Sequence, residues 1–244
     1  MYRTLEIMGY EVFVDEISAI QVAPKKKQVI NTINPHSYVT AKRDGEFAEA
    51  LRASDTLLPD GSGIVMAAKR IAGKKIRKIA GSDLHRHLLS ELDRRGGSVF
   101  YMGASRRTLD RIRERIAREY PSVKVGSHSP PFKAEFSDEE NAEIIAKINA
   151  FAPDVLFVGM TAPKQEKWLH AHRDRLEFRT AACIGAVFDF YAGTVRRPSQ
   201  FWIDLHLEWL PRLLREPRRL WKRNFVSTPL FLWEMLRCEA GRKA

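Results

Sequence analysis

The sequence predicts an α/β fold in which a mostly parallel sheet is flanked by helices, with a C-terminal helical appendage. Short, continuously apolar segments such as Val155–Val158 are typical of strands buried on both faces, as in parallel sheets. These segments alternate with longer segments of helical periodicity, which indicates βα units joined by right-handed crossovers. The composition changes at Arg196, where the appendage is predicted to begin.

Each predicted strand is apolar or β-branched in character and is followed by a segment that contains glycine, proline or asparagine, residues typical of strand ends. A lead-in strand, Met8–Val14, precedes the sheet. In chain order the remaining predicted strands are Gln28–Ile33, Thr56–Pro59, Ser98–Met102, Val123–Ser127, Val155–Val158 and Thr180–Ile184.

Helices are predicted between these strands from apolar residues at three- and four-residue spacing. Ser137 to Glu140 match a capping box, which predicts a helix that continues to about Phe151. Pro163 suits the first turn of the helix that follows Val158. The other predicted helices are Ser37–Ala53, Ile64–Ile71, Leu84–Arg95, Thr108–Tyr120 and 164–175.

Length and charge restrict the class of protein. The 244 residues suffice for one domain with a substantial core, alone or with an appendage. A net charge of +11 predicts a polyanionic partner: phosphate, nucleic acid or an anionic membrane. The two cysteines, Cys183 and Cys238, have neither disulfide nor metal-ligand spacing, which is typical of a reducing cytoplasm. We predict no signal peptide at the start and no apolar stretch long enough to span a bilayer.

Polar residues follow two strands that are consecutive in the chain. Thr32 and Asn34 end the first, and Asp60 ends the second, ahead of two glycines, Gly61 and Gly63. If the strands are parallel, these residues lie at the sheet edge where open α/β sheets bind ligands. The glycines would let the backbone turn sharply or approach a ligand. Helix capping is the alternative role, since Thr, Asn and Asp all favour cap positions.

Two further strand ends carry candidate binding residues. Gln165 lies between Lys164 and Lys167 at the start of a helix, and an amide with two ammonium groups there favours an anion. A solvated turn is the alternative interpretation. Gly103 also ends a strand before a helix, but the GxGxxG motif is absent, so a dinucleotide site is not supported.

Asp189 stands among small and aromatic residues in the segment 185–193. Burying a lone carboxylate costs several kcal/mol unless it is bonded. Asp189 is therefore expected either to be paired structurally or to face a polar group of a ligand.

The segment 196–244 is basic and rich in tryptophan, with eleven Lys/Arg, five Asp/Glu and four of the five tryptophans. Apolar residues at helical spacing with a dense arginine face are typical of an interfacial membrane helix. A helical hairpin that packs on the core is the alternative, and both could hold. A nucleic-acid interface is a third interpretation, but the segment contains no recognised RNA- or DNA-binding motif. The arginines considered are Arg212, Arg215, Arg218 and Arg219.

Taken together, these motifs resemble the WecG/TagA/CpsF family of bacterial glycosyltransferases, glycosyltransferase family 26. The motifs, in the family's order, are Thr32-Ile33-Asn34, Asp60-Gly61-Ser62-Gly63, Gly103-Ala104-Ser105, the segment 162–166, the segment 185–193 and the segment 207–213. The resemblance implies a Rossmann-like core at 1–195 and an appendage at 196–244 that completes the site and meets the membrane. It also implies an inverting, metal-independent transfer of a sugar from a UDP-sugar to an undecaprenyl-diphosphate-linked saccharide.

The resemblance further implies roles for individual residues. The family's proposed base falls on Asp60, and Thr32 and Asn34 match the positions beside it that orient the acceptor or donor sugar. Gln165 is expected to hydrogen-bond the donor, and Gly103 is expected to let the backbone approach the nucleotide.

Asp189 is expected to bond a ribose or uracil group. No paired aspartates lie on a predicted metal loop, so no metal or cofactor is predicted, and the protein must supply the cations that neutralise the diphosphate. Arg212 fits the family pattern best for that role; Arg215, Arg218 and Arg219 are further candidates.

The expected partners are a UDP-sugar, an undecaprenyl-diphosphate-linked acceptor and an anionic membrane surface, with a homo-oligomer also open. Nucleic acid is not expected. The expected location is cytoplasmic, peripheral on the inner face of the plasma membrane. The transferred sugar stays open among N-acetylmannosamine-type, glucosyl and glucuronosyl groups. The main alternative is a non-enzymatic basic module that binds nucleic acid or an anionic membrane; this would explain the charge but not the polar loops at the strand ends.

Overall fold

The computed structural model describes residues 2–23, 27–195, 202, 213–214 and 220–243, with side chains described as far as residue 240. The predicted α/β class is confirmed. Among these residues, six parallel strands form one sheet flanked by helices, and a two-stranded hairpin precedes it.

The sheet strands are β3–β8, and the hairpin strands are β1 and β2. Their bounds are β1 Thr4–Ile7, β2 Tyr10–Phe13, β3 Gln28–Ile33, β4 Thr56–Pro59, β5 Ser98–Gly103, β6 Lys124–His128, β7 Val155–Gly159 and β8 Thr180–Cys183. The order across the sheet is β4-β3-β8-β7-β5-β6, and every neighbouring pair is parallel. All six carboxyl ends therefore lie along one edge.

Helices connect the sheet strands. Their bounds are α1 Pro35–Ala41, α2 Gly45–Arg52, α3 Ser62–Ala72, α4 Gly81–Arg95, α5 Arg106–Glu119, α6 Asp138–Phe151, α7 Lys164–His172 and α8 Val187–Ala192, and the C-terminal helix is Thr228–Lys243 after a π-helical turn, Lys222–Ser227. Ser105 caps α5, since its hydroxyl accepts a hydrogen bond from the Thr108 amide. The predicted capping box at Ser137 and Glu140 is confirmed.

Both faces of the sheet are buried. In β7, Val155 and Phe157 belong to a core formed with α4, α5 and α8, whereas Leu156 and Val158 belong to a core formed with α6 and α7. All four side chains are fully buried. Successive strand residues point to opposite faces, so a continuous apolar segment is what this position in the fold requires.

The C-terminal helix shares a third core with the hairpin and with α1–α3. Phe231 is fully buried there, and its ring lies 5.4 Å from the Tyr38 ring in an edge-to-face arrangement. His36 Nδ1 lies 2.8 Å from Ser227 Oγ, which ties α1 to the turn before this helix. In the part of the chain that the structure describes, no helix has the length and apolar character needed to cross a membrane.

Two predicted elements differ from the structure. The predicted strand Met8–Val14 is part of a hairpin, because Met8 and Gly9 adopt positive φ angles of 52° and 83° and form its turn. The predicted helix Ser37–Ala53 is two helices. Asp44 caps the second, accepting a hydrogen bond from the Phe47 amide at 3.0 Å, and so ends the helical run before it.

Replacing Phe231 with alanine tests the packing of the C-terminal helix. Because Phe231→Ala leaves a cavity in the third core, we expect the free energy of unfolding in urea to fall by about 3–5 kcal/mol. Trp233→Ala is the matched control on the same helix, since Trp233 is 52% exposed, and should cost about 1 kcal/mol or less. Equal losses for the two variants would contradict the packing described.

Candidate active site

The predicted site residues lie along the carboxyl edge of the sheet. Across the sheet they follow the strands in the order Asp60 after β4, Thr32 and Asn34 at the end of β3, Asp189 after β8, Gln165 after β7 and Gly103 at the end of β5. The chain leaves β7 toward β8 on one side and leaves β5 toward β6 on the other. Such a reversal of direction opens the crevice in which parallel sheets bind ligands.

The strands β5 and β7 approach each other closely at this crevice. Gly103 and Gly159 are paired in the ladder, and Gly103 has a φ of 114°. A Cβ atom at Gly103 would lie 2.7 Å from the carbonyl oxygen of Gly159. The sheet itself therefore requires glycine at position 103, and a role for this residue in approaching a nucleotide stays a prediction.

The structure brings the Asp60 and Asn34 loops together at the other end of the edge. The Asp60 amide donates to the carbonyl oxygen of Ile33 at 2.9 Å, which extends the β3–β4 ladder into the loops. A Cβ atom at Gly61, where φ is 96°, would lie 3.8 Å from the Cβ of Asn34. Asp60 and Thr32 are both half-buried, and they place one polar side chain at each of the two strand ends.

Asn34 is the N-cap of α1. Its Oδ1 accepts hydrogen bonds from the amides of His36 and Ser37, both at 3.0 Å, and Ser37 Oγ in turn accepts from the Asn34 amide at 2.7 Å. This capping box occupies the carbonyl end of the side chain. The capping alternative is thus realised at Asn34, and any contact of Asn34 with a sugar would use its Nδ2.

Gln165 and Glu166 form a buried polar pair at the start of α7. Gln165 is 5% exposed and Glu166 is 4% exposed. Gln165 Nε2 donates to Glu166 Oε1 at 2.8 Å. Gln165 Oε1 and Glu166 Oε2 are buried and have no hydrogen-bond partner among the described residues. Unpaired buried oxygens are costly, so their presence at a strand end indicates a place where a ligand donates hydrogen bonds.

Burial controls the charge of Glu166. Removal from water raises the pKa of the Glu166 carboxyl to about 7, although the hydrogen bond from Gln165 opposes the shift. Cys183, at the end of β8, is buried, and its thiol pKa is raised by burial and by the nearby Glu166 carboxylate. Gly185 follows, with a φ of 45°, and a Cβ atom there would lie 3.4 Å from Gln165 Oε1.

The two lysines of this loop were expected to favour an anion, but each bonds another group of the protein. Lys167 pairs with Glu46 at 2.7 Å and with Asp44 at 3.3 Å, and so joins α7 to α2. Lys164 donates to the carbonyl oxygen of Lys133 at 2.7 Å, with its ammonium 3.5 Å from the centre of the Phe136 ring. Both ammonium groups are engaged within the protein, so the polar character of the loop comes from the Gln165–Glu166 pair.

Asp189 is bonded within the protein. Its Oδ1 accepts from Thr194 Oγ1 at 3.1 Å and from Thr108 Oγ1 at 3.4 Å, so it links α8 to the first turn of α5. Asp189 was expected either to be paired within the protein or to face a ligand, and the structure shows the internal pairing. A contact of Asp189 with ribose or uracil stays a prediction. The predicted diphosphate ligands Arg212, Arg215, Arg218 and Arg219 lie outside the described residues.

Sequence reasoning missed Glu166. The run from Lys164 to Lys167 has four polar side chains in succession, which is typical of a solvated turn. The one indication in the sequence that Gln165 and Glu166 could be buried is that the loop follows a strand predicted to be buried on both faces. Glu166 is 4% exposed and lies close enough to Cys183, at the end of β8, to raise the pKa of its thiol; this proximity of distant segments is not visible in the local sequence pattern.

The raised pKa of the buried Glu166 carboxyl predicts that the free energy of unfolding depends on pH. Its folded pKa of about 7 lies above the usual 4.5, so the folded state holds this proton more tightly than the unfolded chain does. This contribution to stability is complete below pH 4.5 and is lost as the pH rises toward 7, by about 3 kcal/mol in all. Glu166→Gln should therefore unfold at higher urea concentration than the wild type at pH 8, and at nearly the same concentration at pH 5.

Glu177→Gln provides the control for this comparison, because Glu177 is exposed near the amino end of β8. Its unfolding midpoint should follow that of the wild type at both pH values. A Glu166→Gln variant whose advantage is the same at pH 5 and pH 8 would contradict the raised pKa.

Comparisons with known proteins identify the family of this chain. The model of the "Glycosyl transferase WecG/TagA/CpsF family" matches residues 4–244. Three relatives share the name "N-acetylglucosaminyldiphosphoundecaprenol N-acetyl-beta-D-mannosaminyltransferase". The relative from Bacillus spizizenii is 32% identical over 93% of this chain and 86% of its own length, and that from Bacillus subtilis is 31% identical over 95% and 88%. The relative from Staphylococcus aureus is 26% identical over 86% and 80%. The family resemblance is confirmed: this chain belongs to the WecG/TagA/CpsF family of glycosyltransferases.

Proposed function

We propose that this protein transfers a sugar from a UDP-sugar to an undecaprenyl-diphosphate-linked saccharide, with inversion and without a metal ion, in the synthesis of a cell-surface polysaccharide. The proposal rests above all on the alignment of the family's polar loops along one edge of the sheet, from Asp60 to Gly103. The names of the relatives support a lipid-linked acceptor.

The order of strands suggests how the substrates lie. Four strand spacings, roughly 19 Å, separate β4 from β5. A nucleotide sugar laid along the edge with its nucleotide at Gly103 would direct its sugar past Gln165 toward Asp60. The acceptor hydroxyl would then enter at the β3–β4 end.

In this reaction Asp60 acts as the general base. Its carboxylate takes the proton from the acceptor hydroxyl while the hydroxyl oxygen attacks the anomeric carbon. The bond from that carbon to the β-phosphate oxygen breaks, and its electrons leave with UDP. Attack on the face opposite the leaving group inverts the configuration. Thr32 and the Nδ2 of Asn34 would orient the sugars beside Asp60.

Protein cations would take the place of a metal ion at the leaving group. Guanidinium groups bind diphosphate through paired hydrogen bonds, which suits the charge that develops on UDP. Arg212 is the first candidate, followed by Arg215, Arg218 and Arg219. Two contacts support a location of the appendage near the site: Phe231 packs close to the Gly63 backbone of the Asp60 loop, and Ser227 bonds His36 of α1.

The relatives favour one donor among the three considered. Those from the two Bacillus species are named for transfer of N-acetylmannosamine to N-acetylglucosaminyl-diphosphoundecaprenol. We therefore propose UDP-N-acetylmannosamine as the donor and that lipid as the acceptor, ahead of glucosyl and glucuronosyl donors.

The appendage is proposed to hold the enzyme at an anionic membrane surface. Trp221 is 57% exposed and Phe225 is 48% exposed, and their rings lie 4.4 Å apart, Trp221 directly before the π-helical turn and Phe225 within it. Lys222 and Arg223 lie on the same turn. Exposed aromatic side chains beside cations suit the interface of an anionic bilayer, where the lipid acceptor resides.

Asp60→Asn tests the catalytic role. Loss of the base should lower the rate of sugar transfer at least about 100-fold, while the Kd for UDP-N-acetylmannosamine changes only a few-fold. Transfer is measured with the purified lipid acceptor, and donor binding is measured by calorimetry without divalent metal. Asp174→Asn, an exposed position before β8, serves as the control and should transfer at the wild-type rate. Full activity of Asp60→Asn would exclude this base, and a wild type that binds no UDP-sugar would overturn the proposed function.

The membrane role is tested with vesicles. Trp221→Ser combined with Phe225→Ser should weaken sedimentation with phosphatidylglycerol vesicles at least about tenfold, because burying each aromatic ring contributes roughly 1.5–3 kcal/mol. Phosphatidylcholine vesicles are the control and should bind both proteins weakly, since the attraction between charges is missing. Unchanged binding of the double variant to anionic vesicles would place the membrane contact elsewhere.

A further inference from the structure

Glu166 is a buried carboxylate that the proposed reaction does not use. It lies in the first turn of α7, is 4% exposed, and has one side-chain partner among the described residues, the Nε2 of Gln165 at 2.8 Å. No cation of the described chain forms an ion pair with it, and its Oε2 has no hydrogen-bond partner there. A neutral amide is a weak partner for a buried charge, so stability does not explain why a carboxylate occupies this position.

The carboxylate does, however, determine how the neighbouring amide is turned. An ionised carboxylate only accepts hydrogen bonds, whereas a glutamine side chain has one donating and one accepting end. Gln165 must therefore direct Nε2 at Glu166, and its Oε1 points elsewhere. That oxygen is buried and without a partner among the described residues. Gly185 lies against it, and a side chain at that position would meet the amide at 3.4 Å.

The place of Gln165 in the sheet indicates which part of the donor reaches it. Gln165 follows β7, which is one strand from β5 and three strands from β4. The nucleotide end of the proposed site is at β5 and the base, Asp60, is beyond β4. The group that lies between them in the proposed arrangement is the sugar, which carries hydroxyl and acetamido donors.

We propose that Glu166 is a positioning residue: it fixes the Gln165 amide so that Gln165 Oε1 accepts a hydrogen bond from a hydroxyl or acetamido N–H of the donor sugar. This inference rests on the proposed function, since it takes the donor to be a UDP-sugar. It assigns recognition of the sugar, as distinct from the nucleotide, to the Gln165–Glu166 pair.

The charge of Glu166 makes this recognition depend on pH. Burial brings the pKa of Glu166 to about 7, and among the described residues the Cys183 thiol on β8 lies close enough for the Glu166 charge to raise its pKa. Lys164 and Lys167 on the same helix bond the β6–α6 loop and α2 instead. As the pH falls through 7, the protonated carboxyl becomes a weaker acceptor and can itself donate to Gln165 Oε1. Affinity for the sugar should then fall, while affinity for UDP should not.

The test compares UDP with UDP-N-acetylmannosamine by calorimetry on the full chain at pH 8. Glu166→Gln keeps the shape of the side chain but can either donate or accept, so it no longer fixes the amide. It should bind UDP as the wild type does and bind the UDP-sugar about tenfold more weakly, the equivalent of one hydrogen bond. Between pH 8 and pH 6 the affinity of the wild type for the UDP-sugar should fall by about the same factor, relative to its affinity for UDP. The affinity of Glu166→Gln for the UDP-sugar should not change over this range.

An exchange of the two residues supplies a rescue. In the double variant Gln165→Glu, Glu166→Gln, the amide introduced at position 166 can donate to the carboxylate introduced at position 165, whose other oxygen again accepts from the sugar. Affinity for the UDP-sugar should recover to within about threefold of the wild type. The single change Glu177→Gln, at the amino edge of the sheet, should leave both affinities unchanged.

The outcomes separate this inference from the proposed function. If the wild type binds UDP and the UDP-sugar, and Glu166→Gln matches it for both, the inference is overturned and the function stands. Equal weakening for UDP and the UDP-sugar in Glu166→Gln would assign Glu166 a purely structural role and also overturn it. A wild type that binds neither compound overturns the proposed function, and the inference falls with it.

Discussion

Burial of both faces of the parallel sheet is the constraint on which the rest of the structure depends. Helices cover β5 and β7 on either side, and side chains such as Phe157 and Tyr101 are fully enclosed. Polar chemistry therefore has room only where the strands end. The parallel arrangement then brings all six carboxyl ends to one edge, so residues as distant in sequence as Thr32 and Gln165 come to share a surface.

The polar side chains at that edge differ in how much they contribute to the stability of the fold and in how much they are left to bind a ligand. Asn34 and Asp189 make internal hydrogen bonds that hold α1 and α8 in place, so any contact with a ligand is additional to a structural role. Glu166 is the opposite case, because its burial lowers stability above neutral pH and its side-chain partner among the described residues is the neutral amide of Gln165. Functional sites commonly retain groups that destabilise the fold, so the destabilising burial of Glu166 indicates a functional role.

Much of the fold could be predicted from the sequence because its strands carry the signal of burial on both faces. The bounds of β3 and β4 agree with the structure to the residue, and the cap at Ser137 was readable from its hydroxyl and the following glutamate. The split of the first long helix was missed, since the cap at Asp44 competes with a continuous periodic pattern.

The candidate site was predictable in its location more than in its chemistry. Strand ends, glycines and family motifs led to Asp60, Thr32 and Gln165, and the topology places these at one edge. The two lysines beside Gln165 were expected to favour an anion, but both bond groups from other segments of the chain. Lys167 pairs with Glu46 and Asp44, and Lys164 donates to the carbonyl oxygen of Lys133. The burial of Glu166 likewise depends on tertiary packing, which no local pattern contains.

A structure of the protein with UDP-N-acetylmannosamine bound would test the central claim most directly. We expect the nucleotide at the β5 end of the carboxyl edge, the sugar within hydrogen-bonding distance of Gln165 Oε1, and the anomeric carbon open to attack from the side of Asp60. A donor bound at the opposite edge of the sheet, or one whose sugar points away from both Gln165 and Asp60, would contradict it.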